Sequence, residues 1–166
     1  MKHRESEQTQ LRVSRLLNRD SVMLHAEMPS VQTALETLVE LQESNGVITN
    51  GTAYYKAVCE RERAGGTTAI GEGLAIPHAC NAGVASLGLA ALTLTRGLDW
   101  GAADGKLVDM IFMVAVPPDR QSDQLLILAR LVNLLSDHRL TEKLRMADTR
   151  EAFIRILNQT EAAIFA

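Results

Sequence analysis

The chain has 166 residues, with 17 lysines and arginines against 20 aspartates and glutamates, and a formal net charge of −3 at pH 7. That length accommodates one domain with a full core. The interspersed charges offer neither the concentrated basic face of a nucleic-acid groove nor a surface built for membranes. The opening MKHRESEQTQ lacks the apolar centre of a signal peptide, no apolar run approaches spanning length, and Cys59 and Cys80 form no CxxC pair. These features predict a cytoplasmic protein with reduced thiols, no direct membrane insertion and no nucleic-acid partner.

Residues 1–10 are expected to form a disordered tail, leaving residues 11–166 as the domain. Leu11, Leu16 and Leu17 predict a short helix over residues 8–18. SVMLHAEM follows as an edge strand. Pro29-Ser30 then opens an amphipathic helix in which Val31, Ala34, Leu35, Leu38 and Val39 keep the i, i+3, i+4, i+7, i+8 spacing. Asn45-Gly46 supplies its left-handed stop. Asn50 is placed to cap a second helix through TAYYKAVCERER, which Gly65-Gly66 ends.

Nine of the eleven glycines lie between Gly65 and Gly105, so the chain changes character there. LGLAALTLT (87–95) and LVDMIFMVAV (107–116) are nearly continuous apolar runs, as expected of strands covered on both faces. GLDWGAADGK between them reads as a turn. Pro117-Pro118 stops the second run. Ser122 is expected to cap DQLLILARLVNLLSD, apolar almost all round and hence a buried helix. Asp148 and Glu151 are expected to form a capping box for a last helix that faces Phe153, Ile156 and Leu157 inward. The class predicted is α/β: a mixed central sheet flanked by helices on both faces, in a single domain.

The chemistry concentrates in TTAIGEGLAIPHACNAG. If residues 74–80 are extended, Leu74, Ile76, His78 and Cys80 share one face. Pro77, without an N–H, suits a strand end or an edge. His78 therefore sits where a strand leaves a sheet, a usual place for ligand groups in α/β folds. Thr67 and Thr68 offer hydroxyls, Gly71 and Gly73 close-approaching amides, and Arg61 and Arg63 forked donors suited to phosphate. Glu72 could accept from one imidazole nitrogen and leave the other as nucleophile. Together these groups describe an imidazole that attacks phosphorus, although each also has an ordinary structural use: a satisfied core histidine, locally capping threonines, a solvated arginine face, a surface glutamate. A metal on His78 and Cys80 finds no further ligand cluster, and Cys80 two residues along a strand is a parallel neighbour of His78 rather than its nucleophilic partner.

The run TTAIGEGLAIPHA resembles the phosphohistidine signature of the enzyme IIA domains of the fructose/mannitol class in the bacterial sugar phosphotransferase system, a class that includes the nitrogen-regulatory IIA proteins. YYKAVCERE, GLDWGAADGKLVDMIFMVAVP and LLILARLVNLLSD resemble the family's preceding helix, two-strand hairpin and following helix. The similarity runs from about residue 17 to 160. It implies that His78 accepts a phosphoryl group from the phosphocarrier HPr and passes it to a cysteine of a IIB domain, and through IIB serves a membrane IIC permease, without cofactor or metal. It also implies Arg61 as the phosphate-contacting arginine, with Arg63 an alternative because one extra residue separates arginine from histidine. Where the family carries a second histidine this chain has Gln124, which can donate a hydrogen bond but carries no charge. Both a sugar-transport role and a regulatory role, in which a protein target reads the state of His78, remain open from sequence.

Overall fold

The computed structural model describes residues 11–165. Its centre is a six-stranded mixed sheet of β1 (Val22–Ala26), β2 (Ala69–Gly71), β3 (Leu74–Ala75), β4 (His78–Cys80), β5 (Gly88–Leu98) and β6 (Val108–Val116). The order is β1-β5-β6-β3-β2, and β4 prolongs β3 along β6. β5 and β6 form an antiparallel hairpin, whereas β1 pairs with β5, and β3 and β4 with β6, in parallel. Pairing runs at one offset from Leu74↔Met110 to Cys80↔Val116, so Pro77 does not shift the register. Beyond Ile76, whose amide still reaches the Thr68 carbonyl, the chain pairs on the β6 side. A proline is tolerated there because no ladder donor is needed on the open side.

Helices cover both faces. α1 (Val31–Ser44) and α2 (Gly51–Ala64) pack on one, against Ala75, Ala90, Leu92, Ile111, Met113 and Ala115. α3 (Gln124–Leu135), α4 (His138–Met146) and α5 (Arg150–Ile164) cover the other, over Leu74, Leu89, Met110, Phe112 and Val114. This double coverage is why the hairpin strands are apolar at nearly every position. Local chemistry starts α1 and α2 as expected. Ser30 Oγ accepts from the Thr33 amide and Asn50 Oδ1 from the Ala53 amide, while Gly46 and Gly66 adopt positive φ behind the two helices.

Four expectations are corrected. In place of a helix over residues 8–18 there are two 3-10 turns, Val13–Leu16 and Arg19–Ser21; residues 8–10, like the expected tail, lie outside the described residues. A segment this short cannot nucleate an α-helix alone, and it is held by the buried carboxylate of Glu161, which accepts from the Val13 and Ser14 amides at 2.8 and 3.0 Å. Ser122 does not cap α3. Pro118–Asp123 already turns as a 3-10 segment, so the Gln124 amide finds the Gln121 carbonyl and needs no side-chain acceptor. Nor is α3 buried all round, since Leu125 is 77% exposed and Val132 46%. At the C-terminal end Thr149, not Asp148, caps α5 by accepting from the Ala152 amide, and Glu151 pairs instead with Arg19 at 3.1 Å.

Candidate active site

His78 opens β4 with only 9% of its surface exposed. Its Nδ1 lies 2.8 Å from the Ile76 carbonyl oxygen. A carbonyl can only accept, so Nδ1 carries the proton and Nε2 keeps the lone pair. Burial holds the imidazole below its ordinary value. The Ile76 bond and the charge of Glu62 pull upward, and the charge of Arg61 pushes downward. The result at neutral pH is an uncharged ring with a defined tautomer, the state a nitrogen nucleophile requires.

The support is a chain of bonds running back to α2. The Ile76 amide donates to the Thr68 carbonyl at 3.0 Å, so the residue that fixes the ring is itself fixed. The Thr68 amide donates to Glu62 Oε2 at 3.0 Å and its hydroxyl donates to Glu62 Oε1. The Trp100 indole N–H reaches the same oxygen at 3.4 Å. On the other side Tyr54, wholly buried on α2, donates its hydroxyl to the Val114 carbonyl at 2.7 Å, and Val114 is the β6 residue opposite His78. Burial pushes the Tyr54 phenol far above its ordinary value, against the opposing effect of the Ala79 amide, so the hydroxyl remains a donor.

The residues singled out in the sequence are brought together unevenly. Arg61 lies near enough for its charge to bear on the His78 ring, and its Nη1 donates to the Gly66 carbonyl at 3.1 Å across the end of α2. Arg63 instead lines a cavity with Tyr55, Cys59 and Trp100. Thr68 is close, but its hydroxyl proton is taken by Glu62, so it positions the ring rather than offering a donor to an anion. Gln124 stands half-buried at the first turn of α3. The connection from β6 runs beside β4, where the Cys80 thiol reaches the Pro117 carbonyl at 3.6 Å.

Glu72 is not with them. Four residues of strand, about 13 Å at 3.3 Å each, separate Leu74 from His78, and Glu72 lies beyond Leu74. It pairs with Lys106 at 2.8 Å, its amide donates to Asp104, and its carbonyl accepts from Arg145. The orienting acceptor expected of it is the Ile76 carbonyl. The glycine turn likewise serves this remote latch: Gly73 has φ +79°, and a Cβ there would lie 2.9 Å from both Arg145 and Asp109. Tyr54 and Glu62 were not singled out in the sequence. Their only local signal is a tyrosine on the apolar face of a helix and a glutamate between two arginines, and their partners are 60 and 38 residues away in Val114 and Trp100. No group of three or more potential metal ligands occurs among the described residues.

An open mixed sheet, helices on both faces and a tautomerically fixed histidine at the strand edge define an α/β domain with a histidine-centred site. The chain belongs to the family described as phosphoenolpyruvate-dependent sugar phosphotransferase system, EIIA 2, a phosphoryl-relay family whose model matches residues 15–160. It is 30% identical over 149 residues to the fructose-specific EIIABC component of Bacillus subtilis, covering 90% of this chain but only 23% of that longer protein. It is 32% identical over 142 residues to a nitrogen regulatory protein of Bradyrhizobium diazoefficiens, covering 83% of this chain and 92% of that one. The crystal structure of the nitrogen regulatory protein IIA-Ntr from Neisseria meningitidis superposes with a TM-score of 0.80 at 27% identity, over 87% of this chain and 98% of that chain.

Proposed function

We propose that the protein is a cytoplasmic phosphoryl carrier in which Nε2 of His78 takes a phosphoryl group from phosphorylated HPr and yields it to a cysteine thiolate of a IIB domain. The observation that carries this is the Nδ1–Ile76 bond, which leaves Nε2 as the one free nitrogen of a neutral ring. In the first step the His78 N–P bond forms in line as the donor's N–P bond breaks, and the proton stays on Nδ1, donated to the Ile76 carbonyl. In the second the IIB thiolate attacks phosphorus and His78 regains its lone pair. Exchange of one N–P bond for another, then for S–P, calls for positioning and charge stabilisation rather than a cofactor. Arg61 supplies the cation, and the Gln124 side-chain amide supplies a neutral donor.

The fructose-specific relative favours a role in fructose/mannitol-type uptake, with IIB linking the carrier to a membrane IIC permease. No helix among the described residues is long and apolar enough to cross a membrane. A second role has its own support. Gln124 stands in place of the family's second histidine, and the likeness to nitrogen regulatory proteins extends over nearly their whole length. In that role the phosphorylation state of His78 controls a protein target. Incubation with enzyme I, HPr and labelled phosphoenolpyruvate should give an acid-labile label on the wild type and none on a folded His78→Ala variant. A labelled His78→Ala variant overturns the mechanism. Passage of the label to a IIB protein separates transport from regulation.

A further inference from the structure

Between the start of α1, the outer face of α2 and the loop after β5 lies a cavity of about 540 Å³, in the range of small-molecule sites. Val31 and Leu35 from α1 and Trp100 from the loop make an apolar wall. Tyr55 and Cys59 line it from α2; burial and then the neighbouring thiol push the Tyr55 phenol up to about 12, so Tyr55 is uncharged at neutral pH.

Three charged groups remain. Both Glu62 oxygens are already occupied, by the Thr68 amide and hydroxyl and the Trp100 indole, so Glu62 is a wall and not a ligand group. Asp99 uses Oδ1 for the Gly101 amide at 3.0 Å, which leaves Oδ2 to accept. Arg63 makes no ion pair or side-chain hydrogen bond among the described residues. The cavity thus presents one unpaired cation, one half-used carboxylate and an apolar wall between α1 and the loop. A zwitterion with an apolar body satisfies all three features. A simple carboxylate would leave Asp99 facing it, and a simple amine would leave Arg63 facing it.

We propose that this cavity binds a free apolar α-amino acid, its carboxylate on Arg63, its ammonium on Asp99 and its side chain against Leu35 and Trp100. The site is separate from His78 but shares a wall with it, since Glu62 both closes the cavity and holds Thr68. Occupancy is therefore felt at the indole that bonds Glu62.

Trp100 is the only tryptophan, so its fluorescence reports the site directly without any phosphoryl donor. The experiment titrates the full chain with L-leucine and L-phenylalanine, and in parallel with 4-methylpentanoate and 3-methylbutylamine, each of which lacks one of the two charges. The expected result is a saturable change with at least one amino acid, and binding weaker by about tenfold or more for both single-charge analogues, as loss of a charge-assisted pair implies. Arg63→Gln and Asp99→Asn should each weaken amino-acid binding to a similar degree. No saturable change with either amino acid, by fluorescence or by calorimetry, overturns the proposal. So do analogues that bind as well as the amino acids, a result that uses the unaltered protein and does not depend on the variants folding.

Discussion

Replacing Tyr54 by phenylalanine removes one oxygen from the interface of α2 with the sheet and keeps the ring. That oxygen donates to the Val114 carbonyl at 2.7 Å in a side chain with no exposure. Leaving a buried polar group short of its partner costs about 1–3 kcal/mol, and for a chain of this length each kcal/mol lowers Tm by roughly 2–4 °C. Urea unfolding of Tyr54→Phe, followed through Trp100, should show a lower midpoint at an unchanged slope. The pH dependence gives a second, independent handle. The folded phenol sits well above its ordinary value of 10.0, so above that pH the unfolded chain releases a proton that the native state retains. Wild-type stability held below pH 10 is then lost as pH rises, at about 1.4 kcal/mol per pH unit. The variant has no such group, and the difference between the two proteins should narrow by about 1 kcal/mol from pH 10 to 11, where the unfolded phenol passes from half to almost fully ionised. A variant within about 0.5 kcal/mol of wild type at pH 7, the size of an ordinary surface change, refutes the reasoning. A difference that stays constant from pH 9 to 11 refutes it equally.

Phosphoryl acceptance by His78 should be flat above the ordinary histidine value of 6.5 and fall only below it, because burial keeps the ring neutral to lower pH; a midpoint above 6.5 in initial rates contradicts this. Arg61→Ala should slow acceptance about tenfold to a hundredfold, the worth of one charge-assisted bond of about 1.5–3 kcal/mol, while Arg63→Ala should leave the rate near wild type. Single-turnover kinetics with phosphorylated HPr distinguishes the two, and the reverse order would move the phosphate-facing role to Arg63. Gln124→Leu removes a donor of similar size from the start of α3 and should slow transfer with little change in thermal midpoint; an unchanged rate excludes Gln124 from the site.

What could be read in the sequence depended on how far away the physical cause lay. Ser30 and Asn50 announce α1 and α2 because their partners are three residues on. The apolar runs of β5 and β6 declare a sheet covered on both sides. The helix α4 went unread, since its nine residues carry a mean character that is charged and its two core leucines, Leu140 and Leu144, make too short a pattern to stand out. Asp137 in front of it accepts from the Arg139 and Leu140 amides and was the available signal. His78 stood out through its place after Pro77 and through family resemblance. Its supports did not: Tyr54, Glu62 and the Ile76 carbonyl act through strand register and through partners distant in the chain. Glu72 shows the opposite error. Six positions are close in sequence, but when extended they carry a side chain to the other end of the sheet.

The carboxylate of Glu161 has a consequence for how the molecule comes apart. It is fully buried near the end of α5 and takes three donors, the Val13 amide, the Ser14 amide and the Ser14 hydroxyl, the last at 2.6 Å. Chain ends ordinarily loosen first and independently of one another. Here two segments about 147 residues apart close on one acceptor, so neither can peel away without stranding an ion or two amides in the apolar core. Val13 and Leu17 sit in that same core beside Phe153 and Leu157. The two ends open as a single unit, and Val13 and Ser14 should resist hydrogen exchange as firmly as the central strands.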